Sequence, residues 1–196
     1  MNSHGANLPF RLQKRNRAMR ILNVLNYTGL YLLIAIVLSG CGREVGWREF
    51  RSEEGAFTIM MPGRPEEQSQ KTATAFGTIE SYVFLVEYQG VGYLVNYADY
   101  PQELVQDSPE DVILDGVSLG VVAQSGGTLI STAAIRLGEY TGRELEINSP
   151  TGDSVLKVRI YLVGTRIFQL SVVSDLGVNN SEDLAQFFNS FELVEY

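Results

Sequence analysis

The sequence predicts an α+β fold in which an antiparallel β-sheet is flanked by helices. Three observations predict it: strand-like segments that alternate apolar and polar residues, short turn signals between them, and helix starts near Ser108 and Ser181. Strands joined by short turns pair antiparallel, so the helices are left to cover the faces of the sheet. The length of 196 residues fits one domain with an additional N-terminal segment.

Eight segments are predicted as strands because they are rich in β-branched and aromatic residues or alternate in polarity. They are residues 47–51, 57–61, 78–88, 91–97, 128–137, 142–147, 155–163 and 166–173. The turn signal Gln89-Gly90 predicts a hairpin between the third and the fourth of them. The polar segment 64–74 is predicted to be a loop.

The loop at Gly164-Thr165 decides which faces of the sheet are covered. A two-residue loop pairs Phe168 and Leu170 with the polar face of strand 155–163, which implies a sheet covered on both sides. A three-residue loop aligns the apolar faces and leaves one face in water. The sequence leaves both alternatives open.

Two helices are expected. Ser108 is expected to cap the first, with Pro109 in its first turn. Its apolar face is formed by Ile113, Leu114, Val117 and Val121. Gly116 and Gly120 lie beside this face and are expected to let the helix approach the sheet closely. The second helix begins at Ser181 and carries apolar residues at helical spacing.

The first forty residues have the layout of a secretory signal peptide. A basic stretch at 11–20 precedes an apolar stretch at 21–38, and Leu38-Ser39-Gly40-Cys41 follows. These four residues resemble the lipobox of bacterial lipoproteins. The resemblance implies lipid, including palmitate, on Cys41 and cleavage between Gly40 and Cys41 by signal peptidase II. The alternative is an uncleaved transmembrane helix over 21–38, which is at the short end of what spans a bilayer.

The predicted organisation is therefore a signal peptide at 1–40, a lipidated tether at 41–46 and a single domain at 47–196. From Cys41 onward the chain has 10 basic and 23 acidic residues, since all five basic residues of 1–40 precede it, which gives a net charge of −13. So acidic a body excludes nucleic-acid binding through phosphate neutralisation. Anionic lipid headgroups also repel it, so the predicted attachment to the membrane is the lipid.

The predicted mature protein has no histidine and no free cysteine. The only histidine, His4, lies in the signal peptide, and the only cysteine, Cys41, carries the lipid. Ser-His-Asp and Cys-His catalysis are thereby excluded, as are zinc, copper and haem sites with His or Cys ligands. No cofactor and no metal are expected, and the chain is predicted not to be an enzyme.

The order of elements resembles the PsbP-like superfamily. Segments 55–62, 95–101, 142–145, 159–161, 166–173 and 187–191 carry the likeness. The resemblance implies an α/β/α sandwich on an antiparallel sheet, and a role in binding or assembly instead of catalysis. The superfamily includes extrinsic photosystem II proteins on the lumenal side of thylakoids, some of them lipid-anchored, and uncharacterised bacterial lipoproteins. A photosystem association is therefore expected if the source is cyanobacterial.

Aromatic side chains supply the candidate partner surface. Tyr82, Tyr93, Tyr97 and Tyr100 concentrate between the third predicted strand and the first helix. If they share one exposed face, they form an aromatic binding surface. The alternative interpretation is that they are half-buried strand tyrosines.

Two groups of carboxylates have a functional and a structural interpretation. Glu144 and Glu146 form either an acid/base pair or a cross-strand ionic ladder with Arg159 and Lys157, and the ladder is favoured. The second group lies at the start of the first helix and consists of Asp107, Glu110, Asp111 and Asp115. These acids suit either a Ca²⁺ site or the positive end of the helix dipole, and the dipole is favoured.

The sequence therefore predicts a lipid-anchored, extracytoplasmic binding or assembly module that contacts protein partners at the membrane surface. Its location is the periplasmic, outer-membrane or thylakoid-lumen side. Two alternatives remain: a carboxylate-based hydrolase of an envelope glycan, and a purely structural envelope lipoprotein.

Overall fold

The fold is built on two antiparallel β-sheets. The computed structural model describes residues 46–74, 77–178 and 181–194. The strands in this part of the chain are β1 (Arg48–Ser52), β2 (Phe57–Met61), β3 (Glu66–Thr74), β4 (Gly77–Tyr88), β5 (Val91–Asp99), β6 (Thr128–Leu137), β7 (Tyr140–Asn148), β8 (Ser154–Val163), β9 (Arg166–Asp175) and β10 (Glu192–Leu193). The helices are α1 (Gln102–Gln106), α2 (Glu110–Ser125) and α3 (Ser181–Asn189).

The larger sheet has seven strands in the order β3-β4-β5-β9-β8-β7-β6, and the smaller has three in the order β1-β2-β10. Every pairing is antiparallel. In the large sheet, chain neighbours pair as hairpins except where α1 and α2 separate β5 from β6, so β9 returns to lie beside β5. The predicted hairpin at Gln89-Gly90 is present, with Tyr88 opposite Val91.

A two-residue loop joins β8 to β9, since Val163 pairs with Arg166 across Gly164-Thr165. Phe168 therefore lies opposite Tyr161, and Leu170 lies opposite Arg159. This is the first of the two predicted registers, in which the apolar faces of the two strands point to opposite sides. The large sheet consequently has an apolar core on each face.

The core on one face lies beneath the small sheet and α3. Phe57 of β2, at 0% exposure, is at its centre. Its ring contacts five others at centroid distances of 5.5 to 6.3 Å, from Phe50, Phe84, Tyr97, Phe168 and Phe191. Buried aromatic pairs add stabilisation beyond the area they bury. The small sheet is thus held to the large one mainly through aromatic side chains.

The core on the opposite face lies beneath α2, which packs on β7 and β8. Leu114 is fully buried there, Val121 is nearly so, and Ile113 and Val117 are half-buried, as the helical spacing predicts. Their partners on the sheet include Ile147. Burial of each such side chain contributes about 1.5–3 kcal/mol.

The start of α2 differs from the prediction. Pro109 occupies the N-cap position without a side-chain hydrogen bond, so Ser108 lies one residue too early to cap the helix. The glycine prediction is also wrong. Gly116 and Gly120 are exposed, and a Cβ at either position would meet nothing within 4 Å, because both face away from the sheet.

The prediction of a loop at residues 64–74 is wrong for most of that segment. Glu66–Thr74 forms β3, which pairs with β4 along its full length. Its polar side chains show no alternation of apolar and polar residues, so the sequence pattern did not indicate a strand. An edge strand held by backbone hydrogen bonds needs no apolar face. The short helix α1 was also not predicted.

The α+β prediction is confirmed in its coarser form, a largely antiparallel sheet with helices. The α/β/α description holds only in part, because one face is covered by α2 but the other by a three-stranded sheet together with α3. The predicted signal peptide 1–40, the cleavage site at Gly40 and Cys41, and tether residues 41–45 lie outside the described residues. No helix in the described ranges is long and apolar enough to cross a membrane.

Candidate functional site

The structure brings together only two of the four predicted surface tyrosines. Tyr82 of β4 and Tyr97 of β5 are cross-strand partners. Their rings stack at a centroid distance of 4.9 Å with 17° between the planes. Tyr93 is buried in the core beneath α3, and Tyr100 packs against the opposite core, beneath α2. The four tyrosines do not share one exposed face, since Tyr93 and Tyr97 are buried and Tyr82 and Tyr100 are half-buried.

The stacked pair lines an open cleft of about 420 Å³, which we call the tyrosine cleft. Its walls come from the end of β1, the turn that follows, β3, β4 and β5. The lining residues are Phe50, Arg51, Ser52, Glu53, Glu54, Glu67, Gln68, Ser69, Tyr82, Phe84 and Tyr97. The volume lies within the range of ligand sites, about 300–1,000 Å³.

A tight turn positions the acidic side of the cleft. The Gly55 amide donates to the Ser52 hydroxyl at 3.0 Å, and the Ala56 amide donates to the Glu53 carbonyl at 3.2 Å. A Cβ on Gly55 would lie 2.6 Å from the Phe57 ring, so the turn requires glycine here. These bonds hold Glu53 and Glu54 at the mouth of the cleft.

Arg166 holds Tyr97 in place at the wall of the tyrosine cleft. Its guanidinium donates to both Asp99 carboxylate oxygens at 2.7 Å and to the Glu54 carbonyl at 2.9 Å. The same group lies 4.6 Å from the Tyr97 ring centroid, a cation–π geometry. The two Asp99 bonds raise the pKa of Arg166, while burial raises the pKa of Tyr97. Both side chains therefore hold one protonation state at neutral pH.

The electrostatics of the tyrosine cleft favour cations. Three carboxylates and one guanidinium line it, which gives 1 − 3 = −2 formal charges. Glu53, Glu54 and Glu67 are exposed at its rim. The faces of aromatic rings carry negative potential, so the half-buried Tyr82 ring adds to the attraction, whereas Tyr97 is 2% exposed and already contacts the Arg166 guanidinium. An amine or a guanidinium is the ligand group that fits such a cleft.

Tyr93 has a structural role in the core. It is 0% exposed, and its ring meets Trp47 at 5.4 Å and Phe187 at 5.4 Å, both edge to face. Burial, with a smaller contribution from Asp183, raises the pKa of Tyr93 to about 12. Its hydroxyl is buried without a hydrogen-bond partner among the described residues.

Glu144 and Glu146 form the predicted ionic ladder. Glu144 accepts from Arg159 at 2.7 Å, and Glu146 lies 3.4 Å from the Lys157 ammonium. Arg159 also stacks over the Phe188 ring of α3 at 4.9 Å. Each carboxylate thus has a cationic partner on the neighbouring strand β8. This arrangement does not suit an acid/base pair, in which one member must hold a proton near neutral pH.

Three of the four acids at the start of α2 bind protein groups. Arg143 of β7 donates to Asp111 at 2.8 Å and to Asp115 at 3.0 Å, and Glu110 accepts from the Thr141 hydroxyl at 2.7 Å. These bonds link α2 to the sheet. Within the described ranges, no group of three or more acidic, His or Cys side chains is arranged to hold a metal ion.

Sequence reasoning found the tyrosines of the cleft but missed its carboxylates. Glu67 lies in the segment predicted as a loop, and Glu53 and Glu54 lie between the first two predicted strands. The exact pairing of β3 with β4 places Glu67 opposite Phe84 and Ser69 opposite Tyr82. The three acidic residues are visible in the sequence, but only the fold brings their carboxylates beside the Tyr82 and Tyr97 rings.

Comparison with known proteins identifies the fold. No protein-family model matches the sequence, and no curated protein sequence matches it. The chain is similar in structure to cyanobacterial PsbP (CyanoP) from Synechocystis sp. PCC 6803, with a TM-score of 0.54 and 11% identity over 79% of this chain and 97% of that one. A Pseudomonas aeruginosa protein of unknown function gives a TM-score of 0.36 at 11% identity, covering 71% of this chain and 90% of that one. The domain therefore has a PsbP-like fold.

Proposed function

We propose that the protein is a lipid-anchored, extracytoplasmic binding module that captures a basic segment of a protein partner in the tyrosine cleft, without catalysis. The single observation that carries the proposal is the stacked Tyr82–Tyr97 pair beneath three carboxylates. A lysine or arginine side chain entering the cleft gains a cation–π contact and an ion pair together. The partner contacts this acidic body at the membrane surface, where lipid on Cys41 holds it.

The chemistry of the mature chain supports binding over catalysis. After removal of 1–40 it keeps no histidine, and its one cysteine is the lipidated Cys41. The carboxylates at the cleft stand at an open rim, where solvent screens them. Such a site favours reversible association with a charged segment. A photosystem partner is one candidate, because the similar structure is a cyanobacterial PsbP.

The test is crosslinking capture from native membranes with the full chain as bait. The cleft variant carries Glu53→Gln, Glu54→Gln and Glu67→Gln. The matched control carries Glu87→Gln, Glu103→Gln and Glu139→Gln, which change charge equally at exposed positions outside the cleft.

Wild type and control are expected to recover the same partner at low salt and to lose it as salt rises, because rim charges are screened. The cleft variant is expected to recover at least about threefold less, since each of three exposed ion pairs is worth about 0.2–1 kcal/mol. Equal recovery by all three proteins would contradict the proposal, as would recovery of no reproducible partner.

A further inference from the structure

β3 is an edge strand with an accessible outer side. Within the described ranges its one neighbour is β4, and the two strands pair without a register shift over nine residues. Every second residue of such a strand directs its backbone amide and carbonyl away from the sheet. Residues 66–71 are exposed, so a further strand can reach these backbone groups without displacing a packed side chain.

The tyrosine cleft extends to this edge of the sheet. Glu67 and Ser69 face the cleft, because their cross-strand partners are the cleft residues Phe84 and Tyr82. Gln68 points to the opposite face of β3 but also lines the cleft, so the cleft reaches the edge itself. A strand added there would lie about 4.8 Å from β3 and about 9.6 Å from β4. A long side chain is therefore needed to cross β3 toward the Tyr82 ring, and arginine and lysine have that length.

The charges along β3 favour a basic segment as the added strand. Glu66 and Glu67 are exposed on β3, and Glu53 and Glu54 line the same cleft. The one basic residue of β3, Lys71, lies 3.4 Å from a carboxylate of β4. A second copy of this chain, with its net charge of −13, is repelled at this edge. A lysine or arginine opposite Glu67 instead gains a cross-strand pair of opposite charge.

We propose that the basic segment of the partner binds as an extended strand, antiparallel to β3, and adds one strand to the large sheet. Strand addition rests on the proposed function and gives it a register. Two basic residues at alternate positions lie opposite Glu67 and Ser69, with their side chains over the cleft, and the residue between them lies opposite Gln68. Lys71 repels a third basic residue on this face, so the preferred motif is two basic residues separated by one other.

Two capped peptides of identical composition test this spacing. One is Thr-Thr-Arg-Thr-Arg-Thr-Thr, and the other is Thr-Thr-Arg-Arg-Thr-Thr-Thr. Neighbouring residues of a strand point to opposite faces, so only the alternating peptide places both arginines over the cleft. Each peptide is titrated at low salt into the isotope-labelled full chain in nonionic detergent and followed by NMR. The alternating peptide is expected to bind at least about threefold more tightly, because a second guanidinium reaches the carboxylates and Tyr82.

Amide hydrogen exchange distinguishes strand addition from a contact between side chains alone. A new backbone hydrogen bond slows the exchange of the amide that donates it. With the alternating peptide bound, every second amide of residues 66–71 is expected to exchange at least about fivefold more slowly. Amides of β6, at the opposite edge of the sheet, are the internal control and should be unchanged. The cleft variant should lose the preference for the alternating peptide, and its matched control should keep it.

Equal affinity for the two peptides would overturn the proposal, as would binding of neither. Unchanged exchange along β3 in the presence of bound alternating peptide would also overturn it, and so would equal slowing on β6. The partner site itself is tested separately by crosslinking capture. Capture that depends on the cleft carboxylates, without protection of β3 by the peptide, would mean that the proposed function holds and strand addition fails.

Discussion

Arg166 joins three parts of the molecule through one side chain. It bonds Asp99 on β5, the Glu54 carbonyl after β1 and the face of Tyr97. Asp99 is more than half exposed, so solvent screens the ion pair and reduces its contribution. The value of Arg166 lies in holding the acidic turn beside the tyrosine pair.

We expect Arg166→Met, which keeps the apolar stem, to lower the free energy of unfolding by about 1 kcal/mol, because a bidentate pair and a cation–π contact are lost. Urea denaturation measures the change. The matched control Arg64→Met, at an exposed position, should change it by less than about 0.5 kcal/mol. Equal effects of the two substitutions would show that these contacts contribute nothing measurable.

Tyr93 combines full burial with a hydroxyl that has no hydrogen-bond partner in the described part of the chain, which normally costs about 1–3 kcal/mol. We expect Tyr93→Phe to leave the free energy of unfolding unchanged at pH 7 or to raise it by about 1 kcal/mol, because the ring contacts remain. Urea denaturation at pH 7 checks this. A loss above about 1 kcal/mol would reveal a hydrogen bond to that hydroxyl.

Alkaline pH tests the same residue. In the folded state the pKa of Tyr93 is about 12, against 10.0 ordinarily. The unfolded chain therefore loses this proton first, and the stabilisation that is complete below pH 10 is lost as pH rises through about 12. Unfolding curves between these values should show a shallower loss for Tyr93→Phe than for wild type. Identical slopes would contradict the raised pKa.

At the scale of elements, α2 shows why helical spacing was informative. Leu114 is 0% exposed, whereas Leu119, on the same helix, is 70% exposed. We expect Leu114→Ala to destabilise by about 3 kcal/mol, because it removes a fully packed side chain and leaves a cavity. Leu119→Ala, the matched control, should cost less than about 0.5 kcal/mol. Urea denaturation of both variants measures this contrast, and comparable losses would mean that α2 does not dock as described.

The core strands were predictable because their side chains alternate toward two environments. β3 was not, because its pairing uses the backbone and the side chains of residues 66–71 are exposed on both faces. The tyrosines show a second limit. Alternation places Tyr93 and Tyr97 on one face of β5, where both are buried in the same core, but only the packing of α3 on Tyr93 and of Tyr82 on Tyr97 shows which of them borders the cleft. That packing joins residues far apart in the sequence, and local sequence patterns do not predict such contacts.

At the scale of the whole molecule, the net charge bears on how the protein is proposed to be held at the membrane. A body of net charge −13 is repelled by anionic headgroups, so the proposed membrane attachment depends on the proposed lipid on Cys41. We expect Cys41→Ser to move the protein from the membrane fraction to the soluble fraction or to leave it as an uncleaved precursor. Intact mass and fractionation measure this. Membrane retention at the mature mass would contradict the lipid anchor.

The central claim is that a basic segment of a protein partner enters the tyrosine cleft, and photo-crosslinking from within the cleft tests it most directly. A photoreactive amino acid replaces Ser69 in the cleft wall or, as the control, Gln106, exposed at the end of α1. Irradiation of native membranes should link the Ser69 position to one partner through a peptide rich in lysine or arginine. The Gln106 position should give no such adduct. Identical adducts from both positions, or an adduct to an acidic or apolar segment, would contradict the account.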